Sequence, residues 1–172
     1  MANSGVFTDA YREKYADLAG DLVTIESQMP LVYFSVGEGG YQIVGGNKVP
    51  KTPDPTKTDI EATIDAVPPS ATTSATGVRF VKALPGGSVS VAGNQVTIVC
   101  ELDAAEADLD GNSHLTGNLG GDPEIFELGI YDGDPAAGSP YTGKATLMAY
   151  CTLNEIVKIA GTAVTITVVI EM

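Results

Sequence analysis

The sequence has 172 residues, of which 22 are acidic and 9 basic, giving a formal net charge of −13. Such a charge repels phosphate backbones and anionic lipid headgroups, which excludes nucleic acid and membrane surfaces as expected partners. The length fits one domain with a sizeable core. The N-terminal stretch "MANSGVFTDAYREKYADL" carries charges where a signal peptide is apolar, so we expect the protein to be made and to fold in a cytosol.

The composition offers little for catalysis. His114 is the single histidine and there is no tryptophan, whereas acid/base and zinc chemistry usually use several histidines. No residue at triad spacing accompanies His114, which favours a surface loop position. Cys100 and Cys151 belong to no CxxC pair and are predicted to be buried free thiols. We therefore expect no enzyme activity, no catalytic residues and no cofactor.

An apolar stripe at spacings of three and four predicts an amphipathic helix near the N-terminus. Its members are Phe7, Tyr11, Tyr15, Leu18, Leu22 and Ile25. Thr8 or Asp9 is expected to cap the start of the helix, and Pro30 to end it. Helix and arm together take up residues 1–29.

The remainder, residues 30–172, is predicted to be a single β-rich domain. The turn "GEGGY" leads to neither a P-loop lysine nor a dinucleotide-binding helix, so it is not a phosphate site. A Pro-rich loop is expected at 45–59, with Lys48 to Asp59 extended over the surface, followed by a short strand in "IEATIDAV". Turn residues between Val78 and Leu102 indicate an antiparallel meander, and an acidic loop follows at 103–122.

Alternating apolar residues predict the strands, most clearly in the closing run "AVTITVVIEM". The predicted strands are Leu31–Val36, Val78–Leu84, Ser88–Val91, Gln95–Leu102, Ile125–Tyr131, Ala145–Leu153 and the closing run. This pattern indicates a mainly β fold, an antiparallel sandwich or partly closed barrel with an N-terminal amphipathic helix.

The acidic residues of "EIFELGIYDGD" raise the question of paired acid/base catalysis. They are Glu124, Glu127, Asp132 and Asp134. In a regular strand, Glu124, Phe126, Leu128 and Ile130 face one way, and Ile125, Glu127, Gly129 and Tyr131 the other. Because Glu127 then has no carboxylate beside it, a structural strand with a polar contact is favoured over catalysis.

The loop "EADLDGN" imitates the first half of a calcium loop, with Glu106, Asp108, Asp110 and Gly111 in the expected order. The twelfth position, where an EF-hand has a bidentate glutamate, holds Gly117. A solvated acidic loop is therefore favoured over a metal site.

Three short motifs resemble the N-terminal domain of phage tail-collar fibre proteins, which joins tail fibres to a baseplate. The matching residues are Val36, Gly37, Gly39 and Gly40, then Glu127, Leu128, Gly129, Ile130, Tyr131 and Asp132, then Leu147, Ala149 and Lys158. The resemblance implies a structural virion protein that adapts a tail fibre to the baseplate. It also implies a homo-oligomer, with a trimer favoured. Family members usually continue into a fibre shaft, whereas this chain stops at Met172, which suggests a free-standing adaptor or a subunit to which another fibre protein docks. The resemblance also implies synthesis in the host cytoplasm and a final location in the virion tail.

Two other functions stay open. Small acidic β-rich domains also serve as capsid decoration or head-tail connector proteins. A calcium-dependent carbohydrate-binding module is the second alternative, with its stacking platform drawn from Tyr41, Tyr131, Tyr141 or Tyr150. If the tail reading holds, the apolar helix stripe or Lys48 to Thr58 is expected to become buried only in the oligomer.

Overall fold

The computed structural model describes residues 4–13, 31, 33–62, 64, 80–104, 106, 124–133, 135, 145–159 and 161–171. Strands make up 55 % of these residues and helix 5 %. The prediction of a mainly β, antiparallel protein is therefore confirmed. No sheet in this part of the chain closes into a barrel.

The described residues form ten strands in three antiparallel sheets. The strands are β1 Ser4–Phe7, β2 Tyr33–Gly37, β3 Tyr41–Val44, β4 Asn47–Pro50, β5 Lys82–Ala83, β6 Val89–Ala92, β7 Gln95–Leu102, β8 Glu124–Tyr131, β9 Leu147–Val157 and β10 Val164–Glu171. The first sheet has the order β1-β9-β8-β2-β5 and the second β10-β7-β6, while β3 and β4 form a separate hairpin.

The two larger sheets share one hydrophobic core. The second sheet contributes alternate residues of β10, and Ile166, Val168 and Ile170 are each at most 1 % exposed. Its partner strand β7 adds Cys100, and β9 of the first sheet adds Cys151, both as buried free thiols, as predicted. The strict alternation in β7 and β10 arises because one face packs on the core and the other meets solvent.

The N-terminal helix is not confirmed as predicted. Phe7 is the last residue of β1, where it pairs with Ala149, because sheet pairing outweighs its place in the helical stripe. Residues 9–13 are helical, and Thr8 caps this turn by accepting the Tyr11 N–H at 3.3 Å. Residues 14–30 lie outside the described residues. No helix in the described ranges is long and apolar enough to cross a membrane.

A β-bulge changes the predicted facing of β8. The pairing with β9 shifts register between Ile125 and Glu127. Ile125 therefore joins Leu128 in the main core, while Phe126 packs against Tyr41 with ring centroids 4.8 Å apart. The prediction that Glu127 faces away from Leu128 is confirmed. The predictions that Ile125 shares the face of Glu127 and that Phe126 shares the face of Leu128 are wrong, because two steps along β8 here match four along β9 and the regular alternation is interrupted.

In and around the predicted loops, the observed strands also differ from the predicted ones. The first part of the predicted Pro-rich loop is β4, joined to β3 by a turn in which Gly45 and Gly46 have φ of 59° and 85°. "IEATIDAV" has no assigned strand among its described residues, although the Glu38 N–H donates to the Ala62 carbonyl. The predicted meander is only partly right, since β5 pairs with β2 while β6 and β7 form the hairpin.

Candidate functional site

Glu127 is a fully buried carboxylate on the outer face of the first sheet, with 0 % of the residue exposed. Its Oε1 accepts the N–H groups of Gly39 at 3.1 Å and Ala62 at 2.8 Å. Its Oε2 accepts the Glu61 N–H at 2.9 Å and the Tyr150 hydroxyl at 2.9 Å. Four donors thus compensate the cost of burying the charge and tie two separate loops to β8.

Glycines allow the first of these loops to approach the carboxylate. A Cβ at Gly37 or at Gly39 would lie 2.5 Å from Glu127 Oε1, closer than side-chain atoms can pack. Gly40 has a φ of +75°, a conformation that side chains rarely adopt, and its Cβ would lie 2.9 Å from the Glu127 Cβ. The turn "GEGGY" is therefore shaped around Glu127.

Glu61 forms a second, more exposed ionic cluster beside the buried one. Its side chain accepts the Lys51 Nζ at 2.6 Å, the Lys57 Nζ at 2.9 Å and the Gly40 N–H at 3.2 Å. The hydrogen bonds from Lys51 and then Lys57 lower the pKa of Glu61 from 4.5 to about 2. The carboxylate of Glu61 thus stays ionised across the physiological range and holds both lysines.

Residues 51–62, which we call the strap, cover the outer face of the first sheet. Ile60 packs with Tyr131, Leu147 and Tyr150 in a small apolar cluster. The Tyr131 hydroxyl donates to Asp59 Oδ1 at 2.6 Å. The part of the Pro-rich segment expected to become buried only in an oligomer already contacts the body of its own chain, since the Thr152 hydroxyl donates to the Lys51 carbonyl at 2.8 Å.

Glu127, the turn "GEGGY" and the strap together form what we call the joint. The β3–β4 hairpin extends from this joint and exposes apolar side chains. Ile43 is 61 % exposed, Val44 54 % and Val49 38 %. At its base, the Lys51 N–H donates to the Gly40 carbonyl at 2.8 Å. Val44 and Val49 lie on one face of the hairpin and Ile43 on the other, because Val49 pairs with Gln42 and Ile43 with Lys48. Exposed apolar side chains that cluster in this way commonly mark interaction sites.

Lys48 fastens the hairpin to the body. Its Nζ lies 5.0 Å from the ring centroid of Tyr41 and 5.2 Å from that of Phe126, and it forms an ion pair with Glu124. The cation thus contacts two neighbouring aromatic rings and a carboxylate. These contacts orient the hairpin relative to β8.

The other acidic residues singled out from the sequence do not gather around Glu127. Glu124 pairs with Lys48, and the buried Asp132 accepts the Thr146 N–H at 2.7 Å. Asp134 lies outside the described residues. The described geometry therefore assigns Glu127 a structural role, because its hydrogen bonds go to the protein's own donors.

Of the residues proposed for calcium binding, the structure describes only Glu106. Glu106 accepts the Lys82 Nζ at 2.7 Å and the Asp103 N–H at 2.8 Å. The remaining residues of that hypothesis, and His114, lie outside the described residues; they are Asp108, Asp110, Gly111 and Gly117. Within the described ranges, no group of three or more His, Cys, Asp or Glu side chains is arranged to hold a metal ion.

The tyrosines proposed for carbohydrate stacking are largely committed to the protein itself. Tyr131 and Tyr150 are each 1 % exposed and donate hydrogen bonds to carboxylates. The Tyr41 ring packs against that of Phe126 with the two planes inclined at 45°. Tyr141 lies outside the described residues.

Sequence reasoning identified Glu127 but missed the residues that surround it. Lys57 and Glu61 stand four positions apart and form an ion pair, a spacing that the sequence displays. Lys51 and Tyr150 carry no such local signal, because they reach the site only through the fold. Comparison of the chain with protein-family models, curated proteins and solved structures finds no match.

Proposed function

We propose that this protein is a structural virion protein of a phage tail, an adaptor that joins a tail fibre to the baseplate through protein–protein contacts. The observation that carries the proposal is the hydrogen-bonded joint around Glu127, from which a hairpin with exposed apolar side chains extends. Such an arrangement suits assembly, because the joint fixes the direction of the hairpin and exposed apolar side chains are more stable when a partner covers them.

The residues behind the resemblance to tail-collar fibre proteins support the same proposal. Gly37, Gly39 and Gly40 are distant in sequence from Glu127, yet all of them approach its side chain. Gly129 likewise makes room for the Tyr131 ring, since a Cβ there would lie 2.6 Å from the hydroxyl. The glycines of the first motif and Glu127 of the second therefore meet in one place, which is the joint.

The partners we propose are a baseplate subunit and a tail fibre, with a trimer as the homo-oligomer that the resemblance implies. The virion tail is then the site of action. Burial of Ile43, Val44 and Val49 would supply apolar contact, and burying each such side chain fully contributes roughly 1.5–3 kcal/mol. A capsid decoration or connector role remains the alternative, because it would use an exposed apolar hairpin in the same way.

Immunogold electron microscopy of virions of the phage that encodes the protein tests the proposal. Gold at the tail, near the baseplate, is the expected result. Gold over the head would favour the decoration alternative, and virions without label would overturn both. Chelator-sensitive stability together with glycan binding would instead revive the calcium-dependent carbohydrate-binding module.

Paired variants test the hairpin itself. Ile43→Ser with Val44→Ser removes apolar surface from the hairpin, and Val91→Ser removes it from β6, where Val91 is 65 % exposed. We expect the hairpin variant to fold normally but to be lost from purified virions, while the Val91 variant is incorporated like the wild type. Equal incorporation of both variants would show that the hairpin is not the contact.

A further inference from the structure

The second sheet ends in one edge strand that differs in length from the other edges. In the two larger sheets, the edges are β1 with four residues, β5 with two, β6 with four and β10 with eight. Short edge strands are one of the means by which proteins prevent edge-to-edge pairing. β10 lacks this protection.

The backbone of β10 is regular along its whole length. Eight successive residues pair with β7 without a register shift, from Val164 opposite Leu102 to Glu171 opposite Gln95. In an antiparallel ladder, alternate residues direct their N–H and C=O groups away from the partner strand. β1 lies near β10 but pairs with β9, and no described residue pairs with the outer edge of β10.

The charge distribution indicates which partner fits this edge. The chain has a net charge of −13, yet the stretch "TAVTITVVI" at 162–170 contains no charged residue and no proline. Two equally acidic copies repel one another over most of their surfaces, and β10, in which only the terminal Glu171 is charged, is where they approach at least cost. Lysine and proline, which commonly guard edge strands, do not occur there.

We propose that β10 pairs antiparallel with β10 of a second copy, so that the two three-stranded sheets become one continuous sheet. An antiparallel pair of identical strands is self-complementary about a two-fold axis, and every outward donor meets an acceptor. The outward side chains Thr165, Thr167 and Val169 then line the seam without opposing like charges. This two-fold contact is independent of the proposed tail function and of any three-fold association.

Size-exclusion chromatography with light scattering over a dilution series tests the pairing in the full chain. We expect an even number of chains per particle, which is a dimer or, if three-fold association also occurs, a hexamer. A monomer or a trimer at every concentration would overturn the proposal. A failure of the tail assignment would not change this result, because the measurement needs no virion.

A pair of matched substitutions distinguishes edge pairing from stacking of the sheet faces. Thr167→Lys places a charge on the edge strand, and Thr97→Lys places the same charge on the outer face of the central strand β7. We expect Thr167→Lys to halve the particle mass or raise the dissociation constant at least about fivefold, since like charges then lie near each other across the seam. Equal effects of both substitutions would indicate face stacking and overturn edge pairing.

Spin labels provide a readout that does not depend on weakening the contact. A label at Thr165→Cys is expected to give a short distance between copies, because neighbouring strands lie about 4.8 Å apart. A label at Val91→Cys, on the opposite edge of the sheet, is expected to give a much longer one. The native thiols are buried and should stay unlabelled. A longer distance at 165 than at 91 would overturn the proposal.

Discussion

Tyr150 donates its hydroxyl hydrogen to Glu127 Oε2 at 2.9 Å, and both side chains are at most 1 % exposed. Burial raises the pKa of Tyr150 first, and the negative charge of Glu127 raises it further. The phenol therefore remains a donor and the carboxylate an acceptor. Two neighbouring strands, β8 and β9, are joined on their outer face by this bond, beneath the loops that the same carboxylate holds.

Replacing Glu127 by glutamine should destabilise the protein by about 2–4 kcal/mol, because hydrogen bonds to a buried charge are strong and an amide brings a donor against N–H groups. Chemical denaturation measures the loss. Glu155→Gln, an exposed change on β9, is the control and should stay within about 0.5 kcal/mol of wild type. Similar stabilities for the two variants would contradict the structural role of the buried carboxylate.

A double-mutant cycle isolates the bond between the two side chains. Tyr150→Phe alone should cost about 1–3 kcal/mol, since one carboxylate oxygen loses a donor. Combined with Glu127→Gln, its effect should be smaller, because the bond it removes has already been altered. Strict additivity would mean that the cost of losing the hydroxyl does not come from its bond to Glu127.

Adding a methyl group at Gly39 should destabilise the joint by about 1–3 kcal/mol, because the Cβ would overlap Glu127 Oε1, which its donors hold in place. Thermal unfolding of Gly39→Ala measures this. Gly86→Ala is the matched control, since a Cβ at Gly86 meets nothing within 4 Å. If Gly39→Ala unfolds at the wild-type temperature, the carboxylate does not need the close approach of the loop.

Through Glu61, the free energy of unfolding should depend on pH within a defined range. Its pKa is depressed from 4.5 to about 2, so the folded state binds its proton less readily than the unfolded state. The stabilisation is therefore present above pH 4.5 and is lost as pH falls toward 2. The difference in unfolding free energy between wild type and Glu61→Gln, measured in denaturant at several pH values, should shrink across this range. A difference that is constant with pH would contradict the ionic role of Glu61.

The two cysteines should resist alkylation until the protein unfolds. Burial raises the pKa of Cys100 to about 12 and raises that of Cys151 as well, so almost no reactive thiolate forms at neutral pH. Mass spectrometry after iodoacetamide treatment should find no label in buffer and two labels in concentrated guanidinium chloride. Rapid labelling of the native protein would show that the core opens readily.

The strands with strict alternation were predictable because one face is buried and the other is not. β7 coincides with its predicted range Gln95–Leu102, and the closing run contains β10. β8 was recognised as a strand, but the bulge beside Glu127 could not be read from alternation, since both Ile125 and Phe126 are apolar. β1 was missed because Phe7 also continues a helical spacing, and only its pairing with β9 decides its conformation.

The candidate site was predictable only in part. The sequence placed Glu127 on a strand face without a carboxylate neighbour and rejected a phosphate site in "GEGGY". It did not connect the two, because the hydrogen bond between Gly39 and Glu127 spans 88 positions. Contacts of this kind arise from sheet order, which local periodicity does not encode.

The place of β1 in the first sheet also determines when the protein can fold. The Thr8 hydroxyl donates to the Leu147 carbonyl, 139 positions away, and among the strands that the structure describes β1 pairs with β9 alone. A nascent chain on the ribosome must therefore hold its first strand without a partner until β9 has emerged. Folding then waits for most of translation and proceeds slowly, as is typical of sheets built from distant segments. During that interval the apolar strands are exposed to aggregation.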